Sequence, residues 1–258
     1  MNYSTGDKYL GKSKIIRLKE TKYTVLDIGS IQGDAPKDFI KAHFYGSGKR
    51  DSPKRWPKYL AKVGHKWYPN EIVEIFNDQD RRSTRIKYMS KSYLVSVHGQ
   101  LRFLSKYFLK NDQTLFHGAQ IYSAFLNEAD ENFIDGVELL GLTRELITFK
   151  FTCQAIEFSF PLESERIINS FLRLLLFDAL VGNNDRHFYN WGVITNIRKN
   201  HRPFFSPIYD TARGLFWNLS DSRIDSFFDK NGRINDNRLR NYVLKSFPQN
   251  RLGKFPNY

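Results

Sequence analysis

Short stretches of alternating apolar and polar residues fill the first part of the chain. Tyr23–Ile28 is β-rich and runs into a turn-like stretch, Gly29–Lys37, ahead of a second strand-like run, Phe39–Phe44. A polar loop, Gly46–Arg55, leads to Lys58–Val63. There Tyr59, Ala61 and Val63 share one face, with Leu60 and Lys62 on the other. Tyr93–Val97 and Leu101–Phe108 read as further strands. Pro69–Phe76 breaks the rhythm, because Ile72, Val73 and Phe76 recur at helical spacing and Pro69 suits a first turn. The charged run Asp78–Lys87 stops that pattern early.

Beyond about residue 110 the pattern becomes mostly helical. Glu163–Leu180 follows Pro161 and carries acid in its first turn. Ile167, Phe171, Leu174, Leu175 and Phe177 make it apolar nearly all round, so a buried core helix is expected, stopped by Gly182. A polar loop follows, then a hairpin: Asn190–Thr195, a basic turn at Arg198–Arg202, and Pro203–Tyr209. No repeat or low-complexity segment interrupts the chain. The pattern predicts an α+β protein with a β-rich part over 1–110 and a mostly helical part over 111–258.

Composition changes this picture only in part. The 258 residues carry 40 Lys+Arg against 27 Asp+Glu, a formal charge of +13, and 41% are hydrophobic, as expected of a globular chain. Cys153 is the one cysteine, which excludes an internal disulfide framework and a CxxC metal or redox site and suits a reducing cytoplasm. No apolar run approaches the roughly 20 residues of a membrane span, and the first residues have no apolar segment of secretory type. The positive charge suits an anionic partner or a solvated basic face, and alone it does not choose between them.

The densest chemistry lies in Gly182–Asn190, followed by Tyr209 and Asp210. Phosphoryl transfer needs a carboxylate to take the nucleophile's proton, and an amide and a second carboxylate to hold Mg²⁺. Asp185, Asn190 and Asp210 have that spacing, with His187 between the first two. The plain alternative is an Asx-rich turn. Asp185 and His187 also match a metal-ligand spacing, but the other histidines, His43, His65, His98, His117 and His201, form no second such pair. Lys62, inside a strand among apolar neighbours, is a candidate for nucleotide phosphates, oriented by Glu71; an edge-strand charge is the competing reading. The Gly29–Lys37 loop stands where a phosphate-covering loop belongs, whereas Gly46–Lys49 lacks P-loop spacing and reads as a hairpin tip. Phe103, Tyr107 and Phe108 read as core, and Arg198–Arg202 as a solvated turn.

Taken together and in order, these segments resemble the HipA-like serine/threonine kinases, the toxin kinases of bacterial toxin–antitoxin systems. The loop S-x-x-G-x-x-[PE]-K appears as Ser30–Lys37, the I-x-K strand as Leu60–Lys62, and the N-E helix start as Asn70–Glu71. The catalytic G-N-x-D-x-H-x-x-N loop appears as Gly182–Asn190, and the S-P-x-Y-D motif as Ser206–Asp210. The resemblance implies a two-lobed protein-kinase-like fold using ATP and Mg²⁺. Asp185 would be the base, His187 a support of the loop, and Asn190 and Asp210 the metal ligands. Ser30, Gly33, Lys37, Lys62 and Glu71 would serve the nucleotide phosphates, with Lys106 and Phe108 near the base. Ser30 would be an inhibitory autophosphorylation site, because a phosphate there repels those of ATP. The implied partners are a protein substrate such as an aminoacyl-tRNA synthetase and a DNA-binding antitoxin; neither a membrane nor direct nucleic-acid binding is expected. The chain departs from the family where the helix after Glu71 breaks into Asn77–Arg82. It also stops about fifty residues past Asp210, so a shortened C-terminal lobe is expected. A degenerate fold serving as a binding module and a small-molecule or lipid kinase are the alternatives.

Overall fold

The computed structural model divides into two units, Met1–Phe108 and Leu109–Tyr258. It describes residues 15–27, 37–43, 52–62, 89–128, 136–137, 139–140, 148–183, 185–198, 201–211, 213–214 and 219–245. The Ser30 and Gly33 loop, the Asn70–Glu71 helix start and the Gly46–Lys49 tip lie outside these residues.

The first unit is built on one sheet. Its strands are β1 (Ile16–Arg17), β2 (Tyr23–Leu26), β3 (Lys37–Ala42), β4 (Lys58–Lys62), β5 (Ser92–Val97) and β6 (Gln100–Lys106), in the order β1-β5-β6-β4-β3-β2. Period-2 alternation sets which residues go inside. Ile40, Ala42, Tyr59, Ala61, Val95 and Leu104 interdigitate with Leu18 and Val97 in one apolar cluster. The other face carries Phe39, Leu94 and Phe103, also buried. β4 runs between β3 and β6, paired antiparallel to both. Lys62 is therefore on an interior strand, and the edge-strand reading fails. β6 stops at Lys106. Tyr107, expected in the core, is 38% exposed, its ring set edge-on against Phe39 with 4.8 Å between centroids.

The second unit opens with a strand the pattern did not announce, β7 (Gln113–His117), followed by α1 (Gly118–Phe125), α2 (Phe149–Ser159) and α3 (Ser164–Val181). β8 (Gly192–Asn196) and β9 (Phe204–Phe205) complete the sheet β7-β8-β9, and α4 (Asp221–Asp225) and α5 (Asp236–Lys245) follow. Thr148 caps α2, its Oγ1 accepting from Phe151 N at 3.2 Å. Trp191 anchors the core, 1% exposed, tilted on Phe171 at 4.7 Å and stacked on Phe205 at 5.9 Å. A Cβ on Gly118 would stand 2.5 Å from the Trp191 ring, so only glycine fits at the start of α1.

α3 departs from expectation in one respect. Ile167, Phe171, Leu174, Phe177 and Val181 are buried, but Leu172, Leu176 and Leu180 are exposed by 39%, 58% and 78%. It is a one-sided helix, because α2 and β9 pack on one flank. Among the described residues no helix is long and apolar enough to cross a membrane.

Candidate active site

The loop that carries Asp185, His187 and Asn190 begins where α3 ends. Gly182 adopts a left-handed φ of 64°, the usual helix stop. Asn183 then holds the turn with its N–H donating to Asp178 O at 2.9 Å and its Nδ2 to Asp178 Oδ1 at 2.8 Å. Its own Oδ1 accepts from Asp185 N at 3.3 Å. Further along, His187 N donates to Asp185 O and Asn190 N to His187 O, each at 3.0 Å. The Asx-turn and functional readings are thus compatible, since these local bonds shape the loop that presents Asp185.

Arg186 ties the loop to the rest of the unit. Its side chain is fully buried and meets Asp178 twice, Nε on Oδ2 at 2.7 Å and Nη2 on Oδ1 at 2.9 Å. Nη1 donates to the carbonyls of Asn190 at 2.5 Å and Tyr209 at 2.8 Å. One guanidinium nitrogen therefore joins the backbone of Asn190 to the residue before Asp210. Burial pulls the Arg186 pKa down, but the charge and hydrogen bonds of Asp178, with Tyr209 and Asp210 beyond, outweigh it, and the net direction is up. It stays a cation.

Asn190, 5% exposed, donates from Nδ2 to Asp185 O at 2.8 Å. That bond orients the amide and leaves Oδ1 as its end suited to a cation. Asp210 has a φ of 54°, left-handed for a residue with a Cβ, the kind of strain found where backbone geometry serves a site. Tyr209 braces it, its hydroxyl donating to Tyr189 O at 2.9 Å and meeting His117 Nδ1 at 3.2 Å. Burial drives the Tyr209 hydroxyl pKa up, and the Asp210 charge adds to this against the pull of Arg186. His117 is shifted the other way, lowered first by burial. An amide oxygen and a carboxylate form an all-oxygen donor set that suits Mg²⁺, which phosphate oxygens and water would complete. Among the described residues no group of three or more His, Cys, Asp or Glu side chains gathers into a metal cluster, so the hydrolase-type site raised by Asp185 and His187 finds no support. The His187 ring instead accepts from Tyr189 N at Nδ1, 3.2 Å away.

Asp185 is 22% exposed and carries a partner that spacing did not reveal: Arg213 Nη1 lies 3.1 Å from its Oδ1. Asp178, Arg186 and Arg213 were all missed from sequence. Asp178 is a charge inside an otherwise apolar helix face, Arg186 fills a variable position of the motif, and Arg213 lies three residues past Asp210.

In the first unit the register sets Lys37 directly opposite Lys62 across β3 and β4, on the face shared with Phe103. Lys106, opposite Tyr59, is exposed on the other face, and Phe108 is half-buried and stacked on Tyr107. Ser30, Gly33 and Glu71 lie outside the described residues.

No protein-family model matches the chain and no curated protein matches it. Among solved structures it is similar to a Helicobacter pylori proinflammatory kinase, CtkA, with a TM-score of 0.59 over 92% of this chain and 83% of that one, at 15% identity. At that identity the likeness is one of fold, and the fold shared is that of a kinase.

Proposed function

We propose that the chain is an ATP- and Mg²⁺-dependent phosphotransferase, specifically a protein serine/threonine kinase of the HipA-like toxin type. The observation that supports this reading is Arg186, whose single Nη1 binds the carbonyls of Asn190 and of Tyr209, the residue before Asp210. Asp185 takes the proton of the acceptor hydroxyl. Asn190 and Asp210 hold the metal, which when bound neutralises phosphate charge. Lys37 and Lys62 bind phosphate oxygens. His187 shapes the loop through its bond to Tyr189 N. Glu71 orienting Lys62, Gly33 covering the phosphates, Ser30 as a self-inhibitory phosphosite, and Lys106 and Phe108 beside the adenine belong to the same proposal. So do an aminoacyl-tRNA synthetase substrate, a DNA-binding antitoxin and a cytoplasmic location.

Radiolabelled ATP supplied with Mg²⁺ should place phosphate on protein serine, and Asp185→Asn should abolish it. Incorporation that survives this substitution sinks the reading. Phosphate found only on a small molecule or lipid replaces the protein acceptor, and a chain whose melting temperature ignores Mg·ATP is a binding module.

A further inference from the structure

The residues around Asp185 include three basic side chains, and two have structural roles. Arg186 is fully buried, its guanidinium bonded to Asp178 and to two carbonyls. His187 accepts a backbone N–H at Nδ1. Arg213 differs from both. It is 41% exposed, it stands on the segment just past Asp210, and its Nη1 already touches the Asp185 carboxylate at 3.1 Å.

We infer that Arg213 is a further catalytic residue, the cation that contacts the phosphoryl group as it passes from ATP to the acceptor beside Asp185. This rests on the phosphotransferase reading. The acceptor oxygen forms a bond to the γ-phosphorus, the bond from that phosphorus to the β–γ bridging oxygen breaks, and the electron pair leaves on ADP. The acceptor proton moves to Asp185. Arg213 stays protonated throughout and donates N–H to the equatorial oxygens, where charge is spread most in the transition state. A guanidinium suits this task because its fork spans two oxygens of one phosphoryl group, which an ammonium cannot do. In the ligand-free chain the Asp185 carboxylate holds that fork in place.

The test is Arg213→Ala and Arg213→Lys in the full chain, with the exposed Arg223→Ala on α4 as a control. For Arg213→Ala, kcat for phosphate transfer from radiolabelled ATP should fall about 10²-fold or more, with KM for ATP changed far less. Added guanidinium at non-denaturing concentration should restore part of the rate, and Arg213→Lys should fall between. A second readout needs no turnover: Mg·ADP with aluminium fluoride should raise the melting temperature of the wild type more than Mg·ADP alone, and Arg213→Ala should lose that difference. Unchanged or raised kcat in Arg213→Ala overturns the inference, as does a loss that tracks a lowered ligand-free melting temperature and resists guanidinium. A wild type that transfers no phosphate removes the functional reading and this inference together, whereas an active wild type with an indifferent Arg213→Ala removes only the second.

Discussion

Two arginine–aspartate pairs, Asp178–Arg186 and Asp185–Arg213, meet at the end of α3 and the loop after it, in different surroundings. Asp178 and Arg186 are 1% and 0% exposed and share two hydrogen bonds; Asp185 and Arg213 are 22% and 41% exposed and share one contact at 3.1 Å. The first pair has left water altogether, so its cost is met only because the remaining donors reach Asn190 and Tyr209 carbonyls. The second pair stays in reach of solvent, where an ion pair contributes little to stability. Burial thus separates two chemically identical pairs, one sealed in the core and one open to water.

The largest effect should come from breaking the buried pair. Arg186→Met strands the Asp178 carboxylate in the core and should cost about 3–5 kcal/mol in urea unfolding. The double variant Asp178→Leu/Arg186→Met should recover most of that, since an apolar pair of similar volume removes both charges. Phosphate transfer should not recover with it, because the carbonyls of Asn190 and Tyr209 lose their common donor. If the double variant is both stable and active, Arg186 is scaffold only.

Asp185→Asn reverses the profile. Transfer should fall by about 10²–10⁴-fold, the range for a lost general base, while the urea midpoint stays near the wild-type value. A large shift in that midpoint would place Asp185 with the scaffold and erase the contrast between the pairs.

A third case lies in the first unit. Lys37 stands opposite Lys62 across β3 and β4, and the proposed function has both meet phosphate oxygens. Lys37→Met should therefore shrink the rise in melting temperature produced by Mg·ATP. A response to Mg·ATP that survives the substitution would remove Lys37 from the nucleotide site.

How much of this was readable in advance follows from what each feature depends on. β3, β4 and β5 were legible because β-branched and aromatic residues crowd them, with Tyr59 and Ala61 alternating onto one buried face. The end of α3 was legible because a left-handed stop favours glycine. The spacing of Asp185, Asn190 and Asp210 marked a loop on local grounds, and Arg186 links the Asn190 carbonyl to that of Tyr209, the residue before Asp210. β7 was not legible: five residues with two apolar positions look like any loop until β8 pairs with them. The exposed leucines of α3 were missed because composition shows that a helix is apolar, whereas only its neighbours decide which side is covered. The pairing of Lys37 with Lys62 is a matter of register, fixed by strands distant in sequence. Arg186 and Arg213 act through carbonyls and a carboxylate brought near by the fold, which spacing does not encode.

The smallest effect concerns the brace behind Asp210, which belongs with the buried pair by the same logic. His117 meets the Tyr209 hydroxyl at 3.2 Å, and burial, with the neighbouring His187, lowers its pKa from the ordinary value of 6.5. The folded chain therefore resists a proton that the unfolded chain accepts. By linkage, its contribution to stability is complete above about pH 6.5 and is lost as the pH falls below that towards the folded-state pKa. The melting temperature should accordingly drop between about pH 7 and pH 5, and His117→Gln, which keeps an N–H to donate to the Tyr209 oxygen and cannot titrate, should drop less over the same interval. Equal slopes for the two proteins would mean that the brace tolerates the proton, leaving Arg186 to hold Asp210 in its left-handed conformation without help from β7.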